Sequence, residues 1–321
     1  MRNKVAHKKR VLVTGASGFI GSHVTRAAIA VGHHVFIAVR DVQAKTPENT
    51  HKVFLNFSDV KQIASALPDV DTIIHLGGRV QIDAATKQPA DTIMDNVTGT
   101  LNLLEALRVR DLHPLVVFAS TDRQYGRIKT KTATEASAPF PIEPYTASKM
   151  MCETLLQTYS HLYGIPHIIF RIDSVYGPGQ PREMFISDVI QKILTQDEIT
   201  VGNLKVLKNF VFVEDVARAF MCAVAAPKSA HNLVYNIGGA SATLGDLLAE
   251  IKKIINTAYN KNVRVTSAAS VAQRAGFEVQ PFKLSTARAA KNLGWKTNVP
   301  LKQGLTRTIE YFYATLNKKN K

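Results

Sequence analysis

The 321-residue chain holds only two cysteines and one tryptophan, and aromatic residues make up 7% of it. Cys152 and Cys222 lie far apart, each in a helical pattern, which excludes a disulfide-stapled scaffold and reads as two core thiols in a reducing compartment. No His/Cys cluster has metal-ligand spacing, so no metal site is expected. Long apolar runs are missing as well: none reaches the roughly 18 uncharged residues of a spanning helix, and the opening MRNKVAHKKR lacks a signal-type apolar segment. The expectation is a cytoplasmic protein with no membrane partner. Acidic residues are scarce, 25 Asp and Glu against 40 Lys and Arg, for a formal charge of +15 that favours anionic partners. Part of that excess sits in the ends MRNKVAHKKR and NKKNK, which read as solvated tails, and neither a nucleic-acid module nor a basic, aromatic-rich strand surface is present. Nucleic acid is therefore not an expected partner.

What the chain does have is hydrophobic content, 45%, enough for a large core in two lobes, with no internal repeat or low-complexity linker. The most informative stretch is KKRVLVTGASGFIGSHV, where an apolar strand runs into Gly15, Gly18 and Gly21 and a helix starts. Gly15 suits a tight turn out of the strand, Gly18 a backbone that approaches a pyrophosphate with no Cβ between, and Gly21 a helix packed closely on a sheet. Free N–H groups at the helix start and the helix dipole then attract the phosphate charge. This order of strand, turn and helix points to a nucleotide cofactor.

Short apolar runs and amphipathic stretches then alternate. VFIAVR, KVFLNF, DTIIHLGG, HPLVVFAS and HIIFRIDSVYG read as buried strands, and 18–31, 59–66, 89–110 and 145–163 as helices. The fold class is α/β, a doubly wound parallel sheet, over residues 1–172. From 173 to 321 the pattern loosens into helices near 183–196, 214–226, 243–258 and 301–317 with short strands, a smaller C-terminal α+β lobe with elements free to cross between the two. Ligands of such sheets bind beyond the carboxyl ends of the strands, so the cleft between the lobes is the expected site.

Tyr145 and Lys149 in PYTASKMMCE stand four apart at a helix start and project from one face. The strand LVVFASTD ends by offering Ser120, Thr121 and Asp122 to the same cleft. A phenol with an ordinary pKa near 10 is a poor base at neutral pH, but a neighbouring ammonium and an oxidised nicotinamide favour its phenolate. Tyr145 could then take a proton from a substrate hydroxyl. His75, at the end of a buried strand, reads as a hydrogen-bonded structural residue.

These segments, with NVTGTLNLLEA, STDRQYG, VYGPGQ, NFVFVEDVARA and LGW, resemble the extended short-chain dehydrogenases over nearly the whole chain. The likeness is to their NAD(P)-dependent epimerase/dehydratase branch, which acts on nucleotide sugars. It implies a Rossmann dinucleotide-binding domain, a nucleotide-sugar substrate and a homodimer through a helical interface that includes the segment carrying Tyr145. It also implies a catalytic triad: Tyr145 as acid/base, Lys149 lowering its pKa and holding the nicotinamide ribose, and Thr121 bonding the reacting oxygen. Phe19, Ile20, Leu76, Gly77 and Gly78 join the three motif glycines around the cofactor, and Asn56 and Phe57 stand beside adenine.

Asp122 matches the sugar-nucleotide dehydratase pattern, in which this acid protonates a departing hydroxyl. Arg123 replaces the Glu base of the thymidine-nucleotide enzymes, whereas the cytidine-nucleotide dehydratases carry a basic residue there. Asp41, twenty residues after Gly21, suits the ribose hydroxyls of NAD, while Arg40 suits a 2′-phosphate. NADP is favoured, with NAD as the alternative. Among substrate positions, Ser174 replaces a usual Asn, Leu204 a usual Gly and Lys208 a diphosphate-binding Arg, with Arg274 at a second diphosphate position. Three functions stay open: epimerase or dehydratase through a keto sugar, NADPH-dependent carbonyl reductase, and a non-catalytic cofactor-sensing or RNA-associated protein.

Overall fold

A computed structural model describes residues 8–41, 43–128, 130–267 and 282–319. Seven strands form the main sheet: β1 (Arg10–Thr14), β2 (His34–Val39), β3 (Thr50–Phe54), β4 (Thr72–His75), β5 (Leu115–Thr121), β6 (His167–Ile172) and β7 (Leu233–Ile237). Every pairing is parallel and the order is β7-β6-β5-β4-β1-β2-β3. The direction of winding reverses between β1 and β4, so a crevice opens outside the carboxyl ends of those two strands.

Alternation along the strands sorts the core into two layers. Val11 and Val13 pack under α1 (Phe19–Ala30) and a helix at Val213–Val224, while Leu12 and Ile73 face α2 (Val60–Ala66), α3 (Pro89–Val109) and α4 (Pro144–Tyr163). Helix ends follow local chemistry. Asp59 caps α2 by accepting the Gln62 amide at 3.1 Å, and α4 opens with Pro144 behind a Glu143 cap and closes at Gly164 in the left-handed region.

The stretch HIIFRIDSVYG, expected as one strand, splits. β6 ends at Ile172, and Ser174–Tyr176 joins a second sheet beside Leu207–Phe212, which pairs in turn with Ala240–Thr243. This sheet packs with helices Phe185–Thr195, Leu244–Tyr259 and Leu301–Lys319 around its own apolar cluster of Ile190, Phe212, Ile251 and Ile309. Several elements beyond residue 173 return to the first unit: β7 pairs with β6, helix Val213–Val224 packs on α1, Lys283–Leu284 pairs with Thr132–Ala133, and helix Ala287–Leu293 packs on β7. His23 on α1 bonds the carbonyl of Pro178 at 2.9 Å, tying the second lobe's first loop to the glycine turn.

Candidate active site

Thr14 ends β1 and its hydroxyl organises the crevice. Oγ1 accepts the amides of Leu76 (3.1 Å) and Gly77 (3.0 Å) and lies 2.8 Å from His75 Nδ1. Since the hydroxyl proton must go to Nδ1, His75 carries its proton on Nε2 and donates to Thr100 Oγ1 at 3.2 Å. Burial pushes this imidazole down to about 3, so it is neutral and structural.

Gly15 follows at φ +68°, and a Cβ there would meet the Gly77 amide at 2.8 Å. A Cβ on Gly21 would lie 2.0 Å from the Gly15 carbonyl oxygen, whereas one on Gly18 would meet only that oxygen at 3.2 Å. Gly18 is the N-cap of α1 and supplies no side-chain cap, which leaves the first-turn amides to an anion. Phe19 and Ile20 form that turn. Leu76, Gly77 and Gly78 face it from the end of β4, and a Cβ on Gly78 would press to 2.7 Å from Asn96 Oδ1 and 3.9 Å from Lys149 Nζ. The cradle fits a dinucleotide: a glycine turn, uncapped amides and a lysine under a glycine roof.

Arg40 and Asp41 are exposed at the end of β2. The Asp41 carboxylate accepts the Gln43 amide at 2.8 Å, while the Arg40 guanidinium has no hydrogen bond or ion pair among the described residues. Asn56 is exposed beyond β3, and Phe57 stacks on His75 at 5.9 Å.

Thr121 closes β5 and Tyr145 and Lys149 stand on the first turns of α4. The Thr121 hydroxyl bonds the Tyr145 phenol. Ser120 is committed elsewhere, accepting from Gln124 Nε2 at 2.6 Å, so Thr121 is the hydroxyl left facing the phenol. Lys149 is buried; its ammonium donates to the Ala119 carbonyl at 2.9 Å and sits 4.6 Å from the Phe118 ring centre. Burial lowers its pKa. In Tyr145 burial and the Glu143 carboxylate raise the phenol's pKa, and Arg123 opposes them only in part. Lys149 points to Ala119, not at the phenol oxygen, so its charge does not set the balance here.

Arg123, in place of a base, comes within 3.6 Å of Glu143, whose buried carboxylate also accepts the Tyr145 and Thr146 amides. Burial pushes the Asp122 carboxyl up to about 6, against the pull of Arg123 and Lys208. Across from it stands Asp173, a residue the sequence reading passed over although an acid inside an apolar strand run was itself a signal. Ser174 donates its amide to Asp173 Oδ1 at 2.6 Å and pairs with Phe210 in the second sheet. Lys208 is exposed on the same sheet and reaches Asp122 electrostatically. Leu204 packs against the second lobe's core, and Arg274 lies outside the described residues.

A profile of the NAD dependent epimerase/dehydratase family matches residues 11–238. The chain belongs to this family. A putative UDP-glucose 4-epimerase of Methanocaldococcus jannaschii is 30% identical over 94% of this chain and 97% of its own length. A trifunctional UDP-glucose 4,6-dehydratase, 3,5-epimerase and reductase of Arabidopsis thaliana is 30% identical over 95% of this chain, which spans about half (47%) of that relative's length. In three dimensions the chain is similar to the UDP-glucose 4-epimerase of Thermotoga maritima with UDP-glucose, with a TM-score of 0.84 at 28% identity over 96% of this chain and 99% of that one. Other similar structures hold NAD or NADPH. The protein is thus an enzyme type of the NAD(P)-dependent epimerase, dehydratase and reductase family, and the described residues contain no helix long and apolar enough to cross a membrane.

Proposed function

We propose that the protein dehydrates a nucleotide sugar through a transient keto sugar. The observation that carries this reading is Asp122: an acid held up to about 6, against Tyr145 and Thr121, at the carboxyl end of β5. Epimerisation calls for no such acid.

A nicotinamide cofactor held there would supply the hydride chemistry at the sugar carbon. Tyr145 takes the proton of the hydroxyl on that carbon, and Thr121 holds the oxygen in line. Lys149 sits under Gly78, where its remaining donors hold the cofactor ribose. Gly15, Gly18, Phe19, Ile20 and Gly21 hold the pyrophosphate. Asp122 then gives its proton to the hydroxyl that leaves as water, solvent takes the proton from the carbon between it and the keto group, and Arg123, steadied by Glu143, balances the negative charge that develops there. Ser174, Lys208 and Arg274 bind the substrate's diphosphate side.

NADP is the favoured cofactor, because Asp41 is engaged in its own turn while Arg40 has no partner among the described residues. The same arginine favours a second reading, an NADPH-dependent keto-sugar reductase. Residues 1–172 serve the cofactor and 173–321 the substrate, with β7 and helix Val213–Val224 crossing back. Exposed Met151, Leu162 and Tyr163 on α4, with Met94 and Val109 on α3, suit a homodimer formed through these two helices. A cytoplasmic setting agrees with the two free thiols. Incubation with a panel of nucleotide sugars, read by product mass, tests the reading: loss of water supports it, unchanged mass with altered stereochemistry means epimerase, and net consumption of NADPH means reductase.

A further inference from the structure

Helix Leu244–Tyr259 is capped by Thr243 and α2 by Asp59, short side chains of the usual kind. The cap of α4 is longer: Glu143 accepts the Tyr145 amide at 3.0 Å and the Thr146 amide at 3.2 Å. The residue is 4% exposed and its side chain is closed to solvent. Burying a charge is costly unless it is paired, and a serine here would cap the helix with no charge to bury. The carboxylate therefore answers to more than the helix end. Arg123 Nε stands 3.6 Å from Glu143 Oε1, and the segment ahead of α4 lies tight on the turn that holds Arg123. Phe140 donates its amide to the Gln124 carbonyl at 2.6 Å, and Gly126, at φ +49°, leaves no room for a side chain beneath the Phe140 carbonyl. Within that turn the Arg123 amide donates to Thr121 Oγ1 at 3.2 Å. Glu143 thus joins the turn carrying Thr121 and Asp122 to the helix start carrying Tyr145.

We propose that Glu143 is a positioning residue: its carboxylate clamps the first turn of α4 to the turn after β5 and keeps a negative charge beside the Tyr145 phenol. Among the described residues, the groups that act on the phenol are Glu143 at the start of its own helix, Arg123 and Asp122 from the turn after β5, and the Thr121 hydroxyl bonded to it. Lys149, one turn further on, directs its ammonium to the Ala119 carbonyl, and Lys208 and Asp173 face Asp122. Burial first, then Glu143 and to a smaller extent Asp122, favour the neutral phenol, while Arg123 favours the phenolate. Without Glu143 the guanidinium would lose the acid that offsets it and draw the phenol toward ionisation. With Glu143 in place, a phenol that has taken the proton of a sugar hydroxyl holds it firmly while the keto sugar exists, and has it to return to the same oxygen. That use of the phenol rests on the keto-sugar reading above; the coupling of Glu143 to Tyr145 does not.

The test follows the hydroxyl-bearing ring carbon of Tyr145 by carbon-13 NMR of the tyrosine-labelled full chain, with oxidised NADP and no sugar, the resonance being assigned with Tyr145→Phe. Glu143→Gln keeps the shape without the charge, and Glu143→Ser keeps an N-cap without the charge. Each should bring the Tyr145 midpoint down by about one pH unit from the wild type. Glu143→Asp keeps both cap and charge and should hold the wild-type curve. Curves of wild type, Glu143→Gln and Glu143→Ser that overlap over the range in which the chain stays folded overturn the proposal. So does a shift in Glu143→Asp as large as in Glu143→Gln, which would assign the effect to repacking. Should Glu143→Gln fail to fold, Glu143→Ser reads the same charge. On whichever nucleotide sugar the enzyme consumes, the acid limb of kcat/KM should move down with the phenol. A shifted phenol in a protein that turns over no sugar supports the coupling, and only the dehydratase reading falls.

Discussion

Two glycines of the turn make opposite demands, and substituting each with alanine separates fold from ligand. At Gly21 a methyl would sit 2.0 Å from the Gly15 carbonyl oxygen, where ordinary contact begins at 3.4 Å. Backbone must therefore move by more than ~1 Å, and such overpacking costs about 1–3 kcal/mol. For a chain of this size that lowers Tm by roughly 2–10 °C. Displacement on that scale at the cradle also costs on the order of 100-fold in a step that depends on positioning. At Gly18 the backbone is extended, φ −73° and ψ 172°, and the methyl meets one atom at 3.2 Å. Gly18→Ala should keep the wild-type Tm within about 2 °C, because the small clash relaxes locally. Its dinucleotide affinity should nevertheless fall, because the methyl stands where phosphate approaches the uncapped amides. Calorimetric titration with NAD and NADP, beside thermal melts, reads both. Wild-type affinity in Gly18→Ala, or an unchanged Tm in Gly21→Ala, would refute the assignment of the two roles.

Arg40→Ala should weaken NADP binding at least tenfold more than NAD, since a charge-assisted phosphate contact is worth about 1.5–3 kcal/mol; equal losses in titration would count against the 2′-phosphate role. Tyr145→Phe should abolish turnover and leave cofactor affinity within about twofold, because the phenol only moves a proton; retained activity sinks that role. His75 stays neutral in the fold down to about 3, while unfolded histidine protonates near 6.5. The unfolded state then binds more protons between those values, so stability is intact above pH 6.5 and falls as pH drops toward 3, by on the order of 5 kcal/mol in all. Melts across that window should show the loss, and His75→Gln should flatten its slope; an equally steep slope in the variant places the acid sensitivity elsewhere.

Much of this was legible because it is written locally. The glycine spacing requires a turn that the structure forms with Gly15 at φ +68°, and uninterrupted Val, Ile and Phe runs require a sheet covered on both sides. Helix starts at Asp59 and Pro144 follow from capping chemistry that sequence displays. What sequence concealed depends on register between distant strands. Asp173 falls inside a run whose apolar pattern reads as a single strand, and only the pairing of Thr121 with Ile172 sets it beside Asp122. Glu143 likewise looks like a loop acid until the fold brings Arg123 to it.

The most direct measurement follows Asp122→Asn beside the wild type on whichever nucleotide sugar the wild type consumes, reading reduced-nicotinamide absorbance and product mass together. The wild type should release a product lighter by one water. Asp122→Asn should still reduce the bound cofactor but stall before water is lost. A variant that yields the dehydrated product at the wild-type rate, or a wild type that never loses water from any sugar offered, would contradict the account.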